Sequence, residues 1–150
     1  MKDAELKHFV DSTLKYFQNA TGSAATLGIP YVKKPDEDLY CDFTGIIGIS
    51  GSRRGAIYVC TPRPLLVELA KVVTGQGEVS EEAVRDMVGE LANTIAGNAT
   101  QAFDRNFQIS VPVIIEGRPR SISIQLETPA FVLPAEWKGV RFSVIVGISD

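Results

Sequence analysis

The chain has little of what most enzymes use for covalent or metal chemistry. Its 150 residues hold one histidine, His8, and two cysteines, Cys41 and Cys60. A Ser/His/Asp or Cys/His arrangement would have to use His8, which sits in an amphipathic N-terminal segment and reads as a partly exposed helix residue. The cysteines form no CxxC and, with one histidine at an unrelated position, match no zinc-ligand spacing. They read as reduced, small core residues flanking a hairpin, with a disulfide as the lesser alternative. No basic tract stands out in a chain of net charge −3, which argues against nucleic acid or an anionic membrane as partner. No apolar run approaches the ~20 residues of a membrane span. The N-terminus, MKDAELKHF, lacks the apolar core of a signal peptide, so cytoplasmic residence is expected. Gly48, Gly51 and Gly55 around Arg53 and Arg54 match neither the P-loop nor the dinucleotide fingerprint, and read instead as a hairpin turn with exposed arginines. No carboxylate pair suggests glycosidase chemistry.

What is present is an ordinary globular composition, 45% hydrophobic and 22% charged, in a length that supports one domain over 1–150 with a sizeable core. Its most informative stretch is Ser80 to Phe103. Ser80 suits an N-cap, Val79 and Val84 suit a hydrophobic staple, and Glu81 and Glu82 suit the positive end of a helix. Val84, Met87, Val88, Leu91, Ile95 and Ala102 form an apolar stripe at helical spacing. Asp86, Glu90 and Asn93 fall opposite, within an arc of roughly 60°. Gly89, Ala96, Gly97 and Thr100 lie around them. A glycine costs about 1 kcal/mol against alanine inside a helix, so two on an exposed face suggest close approach of something else. A solvated face with incidental small residues accounts for the same spacing.

Residues 4–21 predict a first helix with Leu6, Phe9, Val10, Thr13, Leu14, Phe17 and Ala20 on its apolar side, ended by Gly22 and Ser23. Residues 22–40 read as loop, with a short strand near Thr26 to Pro30. Phe43 to Ser50 and Ala56 to Cys60 predict a hairpin. Thr61 suits the cap of a second helix, Pro62 its first turn, and LLVELAKVV its apolar face. Gln108 to Glu116 and Ser121 to Glu127 predict a second hairpin, with Ile122, Ile124 and Leu126 on one face. Residues 128–139 read as a loop, and Val140 to Ile148 as a last strand, fit for a sheet edge or a sheet centre. The order suggests a repeat offset by roughly 70 residues. Asp11, Lys15, Gln18 and Gly22 align with Asp86, Glu90, Asn93 and Gly97, and Thr61-Pro62 with Thr128-Pro129. The expected fold is α+β: an antiparallel sheet with helices on one face and an internal pseudo-repeat.

A carboxylate and an amide one turn apart hydrolyse little alone. They can act on a site that already holds a metal and an electrophile. The amide can orient a water, and the carboxylate can clamp a partner's lysine.

DMVGELANTIAGNA resembles the signature helix D/S-x-x-x-E-x-x-N of the CheC/CheX/FliY phosphatases, most nearly its CheX branch. FTGIIGISGSRRGAIYVCTP and FQISVPVIIEGRPRSISI are similar to the family's two hairpins. The resemblance implies an aspartyl-phosphate phosphatase acting on a phosphorylated CheY-type response regulator. It implies no cofactor of the chain's own, since the phosphoaspartate and Mg2+ belong to the regulator. It assigns Asn93 to orienting the attacking water, Glu90 to pairing with the regulator's lysine, and Asp86 to a supporting role on a partner face that includes Gly89 and Gly97. It also implies a homodimer joined through sheet edges. Two other classes fit the sequence: a non-catalytic docking module for a signalling partner, and a structural component of a flagellar-switch-like assembly. The latter requires a large exposed apolar patch.

Overall fold

A computed structural model describes residues 1–103, 106–119 and 122–150. The first helix, α1 (Asp3–Thr21), buries Leu6, Phe9, Thr13, Tyr16 and Phe17 along one side. Gly22 closes it with φ 73°, a left-handed cap that glycine takes without strain. Two short strands follow, β1 (Thr26–Leu27) and β2 (Tyr31–Val32). The hairpin is β3 (Phe43–Gly51) and β4 (Gly55–Thr61). Helix α2 (Arg63–Thr74) starts one residue later than expected. Thr61 remains in β4, where its hydroxyl donates to the Phe43 carbonyl, and Pro62 takes the cap position. The first free N–H of α2, from Arg63, is satisfied instead by Asp42 Oδ2 at 2.8 Å. Helix α3 (Glu81–Gln101) has the expected cap, Ser80, whose side chain accepts from the Ala83 N–H.

The predicted strand over 108–116 is two pieces, β5 (Phe107–Ile109) and β6 (Val113–Glu116), both paired with β3. Pro112 lacks the N–H that would continue the ladder. At the break the Gly48 N–H turns to the Ser110 hydroxyl at 2.8 Å. The strand expected at 121–127 is not one over its described residues, 122–127; Ser121 lies outside them. Ile122, Ile124 and Leu126 do point together, but onto the sheet's second face. The segment lies over that face, held by Tyr58 Oη donating to the Ile124 carbonyl at 2.6 Å and by the Glu127 N–H donating to the Gly147 carbonyl.

The expected loop at 128–139 contains a full strand, β7 (Phe131–Trp137), which pairs with β8 (Val140–Ile148). Pro134 is tolerated because the other neighbour of β7 changes there, from β2 beside Phe131 and Val132 to β1 beside Ala135 and Glu136. The sheet runs β1-β7-β8-β4-β3-β5, with β2 on β7 and β6 on β3, all antiparallel. The C-terminal strand is therefore central, and the edges are β1/β2 and β5/β6.

The order is a pseudo-palindrome. Helix α1 and its short strands edge the β7–β8 hairpin, while α3 and its short strands edge β3–β4. The repeat is thus real, but its second hairpin is β7–β8 rather than 108–127. Thr61-Pro62 leads into α2 whereas Thr128-Pro129 precedes β7, so that pair is not equivalent. All three helices cover one face, whose core includes Phe9, Phe17, Leu66, Leu91, Ile95 and Trp137. The other face holds a smaller core of Ile46, Tyr58, Cys60, Val132 and Ile145. Burial on both faces explains the near-continuous apolar runs of β3, β4 and β8.

Arg53 corrects the expectation of an exposed turn. It is 4% exposed. Its guanidinium meets Glu5 at 2.5 Å, donates from Nε to the Ser149 carbonyl, and lies over the Phe103 ring. Only Arg54 is exposed. The hydrogen bond from Arg53 holds the Glu5 carboxyl below its usual range. A depressed carboxyl pKa stabilises fully above the unfolded value of about 4.3, and that contribution is lost as pH falls through the folded value. Glu5→Gln is expected to cost about 1.5–3 kcal/mol at pH 7, the value of a hydrogen bond to a charged group. Urea denaturation at pH 7 and pH 3 should show the gap to the native protein closing in acid. An equal gap at both would exclude the carboxylate as its source.

Candidate functional site

The outer face of α3 presents Asp86, Glu90 and Asn93, all exposed. Val84, Met87, Leu91 and Ile95 lie opposite and are buried, as the helical spacing predicts. Ala102, expected on the stripe, falls past the helix end and is exposed. Glu90 and Asn93 are about 4.5 Å apart along the axis, at 1.5 Å rise per residue. Among the described residues neither side chain makes a hydrogen bond or ion pair within the chain. Arg85, earlier on the same helix, is taken by Glu116 of β6 at 2.6 Å.

Gly89 departs from the sequence reading. It is buried rather than on the exposed face. A methyl there would come within 3.2 Å of Ile114 and 3.6 Å of Pro112. The close neighbour that the glycine admits is this chain's own β6 edge, so Gly89 is not part of an open partner surface. Ala96 and Thr100 are buried as well, and Gly97 is half-buried near Ile109.

Two contacts that sequence reasoning missed fix the helix. Gly45 of β3 lies under α3, where a methyl would stand 2.9 Å from the Val88 carbonyl and 3.0 Å from Ala92. Its lack of a side chain lets the helix backbone sit directly on the sheet. The only sequence signal is a glycine inside an apolar strand, which marks a close backbone approach or a bulge without saying which. On the other side, α1 crosses α3 antiparallel. Phe9 meets the Phe103 ring at 6.0 Å, and Ser12 Oγ donates to the Ile95 carbonyl at 2.8 Å. One turn further along α1, Tyr16 is buried, and the Ser12–Ile95 contact brings it opposite the part of α3 one turn before Ile95.

The remaining candidates do not join this face. His8 is half-buried and stacks edge-on to Phe103 at 5.1 Å. Cys60 is buried in the second core, but Cys41 is exposed, against the expectation of two core thiols. Burial pushes the Cys60 thiol up to about 12, and partial desolvation with the nearby Asp42 and Asp38 charges pushes that of the more open Cys41 upward, so neither is a ready thiolate at neutral pH. A cavity of about 390 Å³, lined by Tyr40, Tyr58 and Cys60 among others, lies on the sheet face away from the helices. Lys15 and Gln18, the α1 counterparts of Glu90 and Asn93, are exposed. Among the described residues no His/Cys/Asp/Glu cluster could hold a metal, and no helix is long and apolar enough to cross a membrane. The arrangement is an amide and a carboxylate exposed on the outer face of one helix. Such a pair can act on a site that another molecule supplies.

The profile of the family described as chemotaxis phosphatase CheX matches residues 43–136. Against the curated proteins the sequence finds no significant match. Among solved structures, the chain is similar to a putative chemotaxis protein from Desulfovibrio vulgaris Hildenborough, with 27% identity, 97% of each chain covered and a TM-score of 0.83. A chemotaxis protein CheX from Desulfovibrio desulfuricans shares 26% identity, with 97% of this chain and 98% of that one covered and a TM-score of 0.82. The CheX–CheY–BeF3–Mg2+ complex from Borrelia burgdorferi includes a chain 22% identical, with 97% and 98% covered and a TM-score of 0.75.

Proposed function

We propose that this chain, which belongs to the chemotaxis phosphatase CheX family, dephosphorylates a CheY-type response regulator through Glu90 and Asn93 of α3. The observation that carries the reading is the exposed Glu90/Asn93 pair, unengaged within the described chain, on a helix seated by Gly45 and Ser12. The Borrelia complex with CheY and Mg2+ supports the choice of partner.

The regulator brings the phosphoaspartate and the Mg2+. Asn93 enters that site, where its side-chain carbonyl accepts from a water and its NH2 donates, holding the water in line with the phosphorus. The oxygen of the water bonds to phosphorus as the bond to the aspartyl oxygen breaks, leaving inorganic phosphate and a free carboxylate. Glu90 pairs with the regulator's lysine and fixes the register of Asn93. Asp86, two turns from Asn93 toward the helix start, supports the contact at its rim. Gly97 lies half-buried beyond it and adds little side-chain bulk.

The test is the decay of a phosphorylated CheY-type regulator with and without the protein. Faster decay supports the reading. Unchanged decay despite measurable binding would favour a docking module.

A homodimer accompanies this function. With β8 at the sheet centre, the free edges are β1/β2 and β5/β6. The first presents Ile29, 88% exposed, with Tyr31 and Val32, an edge that another copy can cover. Sedimentation at micromolar concentration should give twice the chain mass, and Ile29→Lys should shift it toward the monomer. A monomeric native protein would remove this part of the proposal.

A further inference from the structure

Tyr16 carries the one buried side-chain polar atom without a hydrogen-bond partner among the described residues. The residue is 5% exposed, and its ring packs edge-on to Phe17 at 5.3 Å. A phenylalanine would fill nearly the same volume without leaving a buried hydroxyl unmatched. The antiparallel crossing explains where the hydroxyl lies. Phe9 meets Phe103 and Ser12 reaches Ile95, so Tyr16, one turn on, comes opposite the turn around 91. Glu90 flanks that turn, and its negative charge adds to burial in pushing the Tyr16 hydroxyl pKa upward. The phenol is a donor, and Glu90 is an exposed acceptor on the adjoining helix.

We propose that Tyr16 is a positioning residue for Glu90: on docking of the regulator its hydroxyl donates to the Glu90 carboxylate and aims it at the regulator's lysine. The inference rests on the function proposed above. An exposed glutamate samples several rotamers, and a fixed donor at its base selects among them. Docking removes water from the pair, so the hydrogen bond strengthens when the partner is in place. The second carboxylate oxygen remains free for the lysine.

The test compares native protein, Tyr16→Phe, Glu90→Gln and the double variant. Each is measured for phosphorylated-regulator decay across regulator concentrations. Tyr16→Phe should raise KM about tenfold, as expected for a lost hydrogen bond to a charged group, and hold kcat within about twofold. Its melting temperature should stay level or rise, because an unmatched buried hydroxyl is removed. In the Glu90→Gln background the same change should add much less, because the neutral amide oxygen is a weaker acceptor and no longer forms the ion pair with the lysine that Tyr16 would aim. A Tyr16→Phe protein with native or faster kinetics overturns the proposal. So does a KM effect that persists undiminished beside Glu90→Gln, since Tyr16 would then act through something else. If the native protein accelerates nothing, the phosphatase reading fails separately. Regulator affinities of the same four proteins then decide the role of Tyr16, and absence of any binding overturns it too.

Discussion

Asn93→Ala is expected to slow dephosphorylation of the regulator by at least about 100-fold, the loss typical when a positioned catalytic group is removed. The phosphoaspartate and Mg2+ stay intact in the regulator, so spontaneous hydrolysis sets the floor. What disappears is the orientation of the water, for which alanine has neither donor nor acceptor. Asn93 is exposed and makes no hydrogen bond within the described chain, so the fold should hardly notice. Surface changes of this kind stay within about 0.5 kcal/mol. Regulator binding should survive through Glu90. Stopped-flow or phosphate-release assays, with a urea melt as the folding control, read both quantities. Retained turnover in a folded Asn93→Ala protein would remove Asn93 from the mechanism. A large fall in stability would mean that the side chain is structural.

Leu91→Ala should behave in the opposite way. Leu91 lies between the two functional residues in sequence, yet it is fully buried in the main core. Truncation removes buried methyl groups and leaves a cavity between α3 and the sheet, at about 2–5 kcal/mol. For a chain of this size that corresponds to a fall in melting temperature of roughly 4–20 °C. Well below the melting transition, turnover per folded molecule should remain within a few-fold of native, because Glu90 and Asn93 are untouched. Denaturant titration checks the first part and low-temperature kinetics the second. A loss below about 1 kcal/mol would contradict the close seating of α3 that Gly45 implies. Together the two substitutions separate function from stability along three consecutive residues of one helix.

The amino-acid sequence alone determined whatever depends on neighbours three or four positions apart. The caps at Ser80 and Gly22, the stripe of Val84, Met87, Leu91 and Ile95, and the outward arc of Asp86, Glu90 and Asn93 follow from helical periodicity. The β3–β4 hairpin follows from apolar strands around a glycine-bounded turn. The resemblance of the signature helix supplied the family, and its residues fall on the face that helical geometry exposes.

The tertiary structure decided what depends on distant partners. Pro134 reads locally as a strand breaker, yet β7 accommodates it because the neighbouring strand changes from β2 to β1 there. The alternation of Ile122, Ile124 and Leu126 reads as a strand, but the segment lies over the second sheet face instead of joining a ladder. Arg53 sits in a turn that should be exposed, and it is buried because Glu5 and Ser149 converge on it from the two ends of the chain. Gly89 admits β6 rather than a partner, and Tyr16 comes opposite α3 only through the α1–α3 crossing. In each case the local pattern is compatible with two outcomes. The choice falls to burial and hydrogen-bond satisfaction between segments far apart in sequence, which no local periodicity encodes.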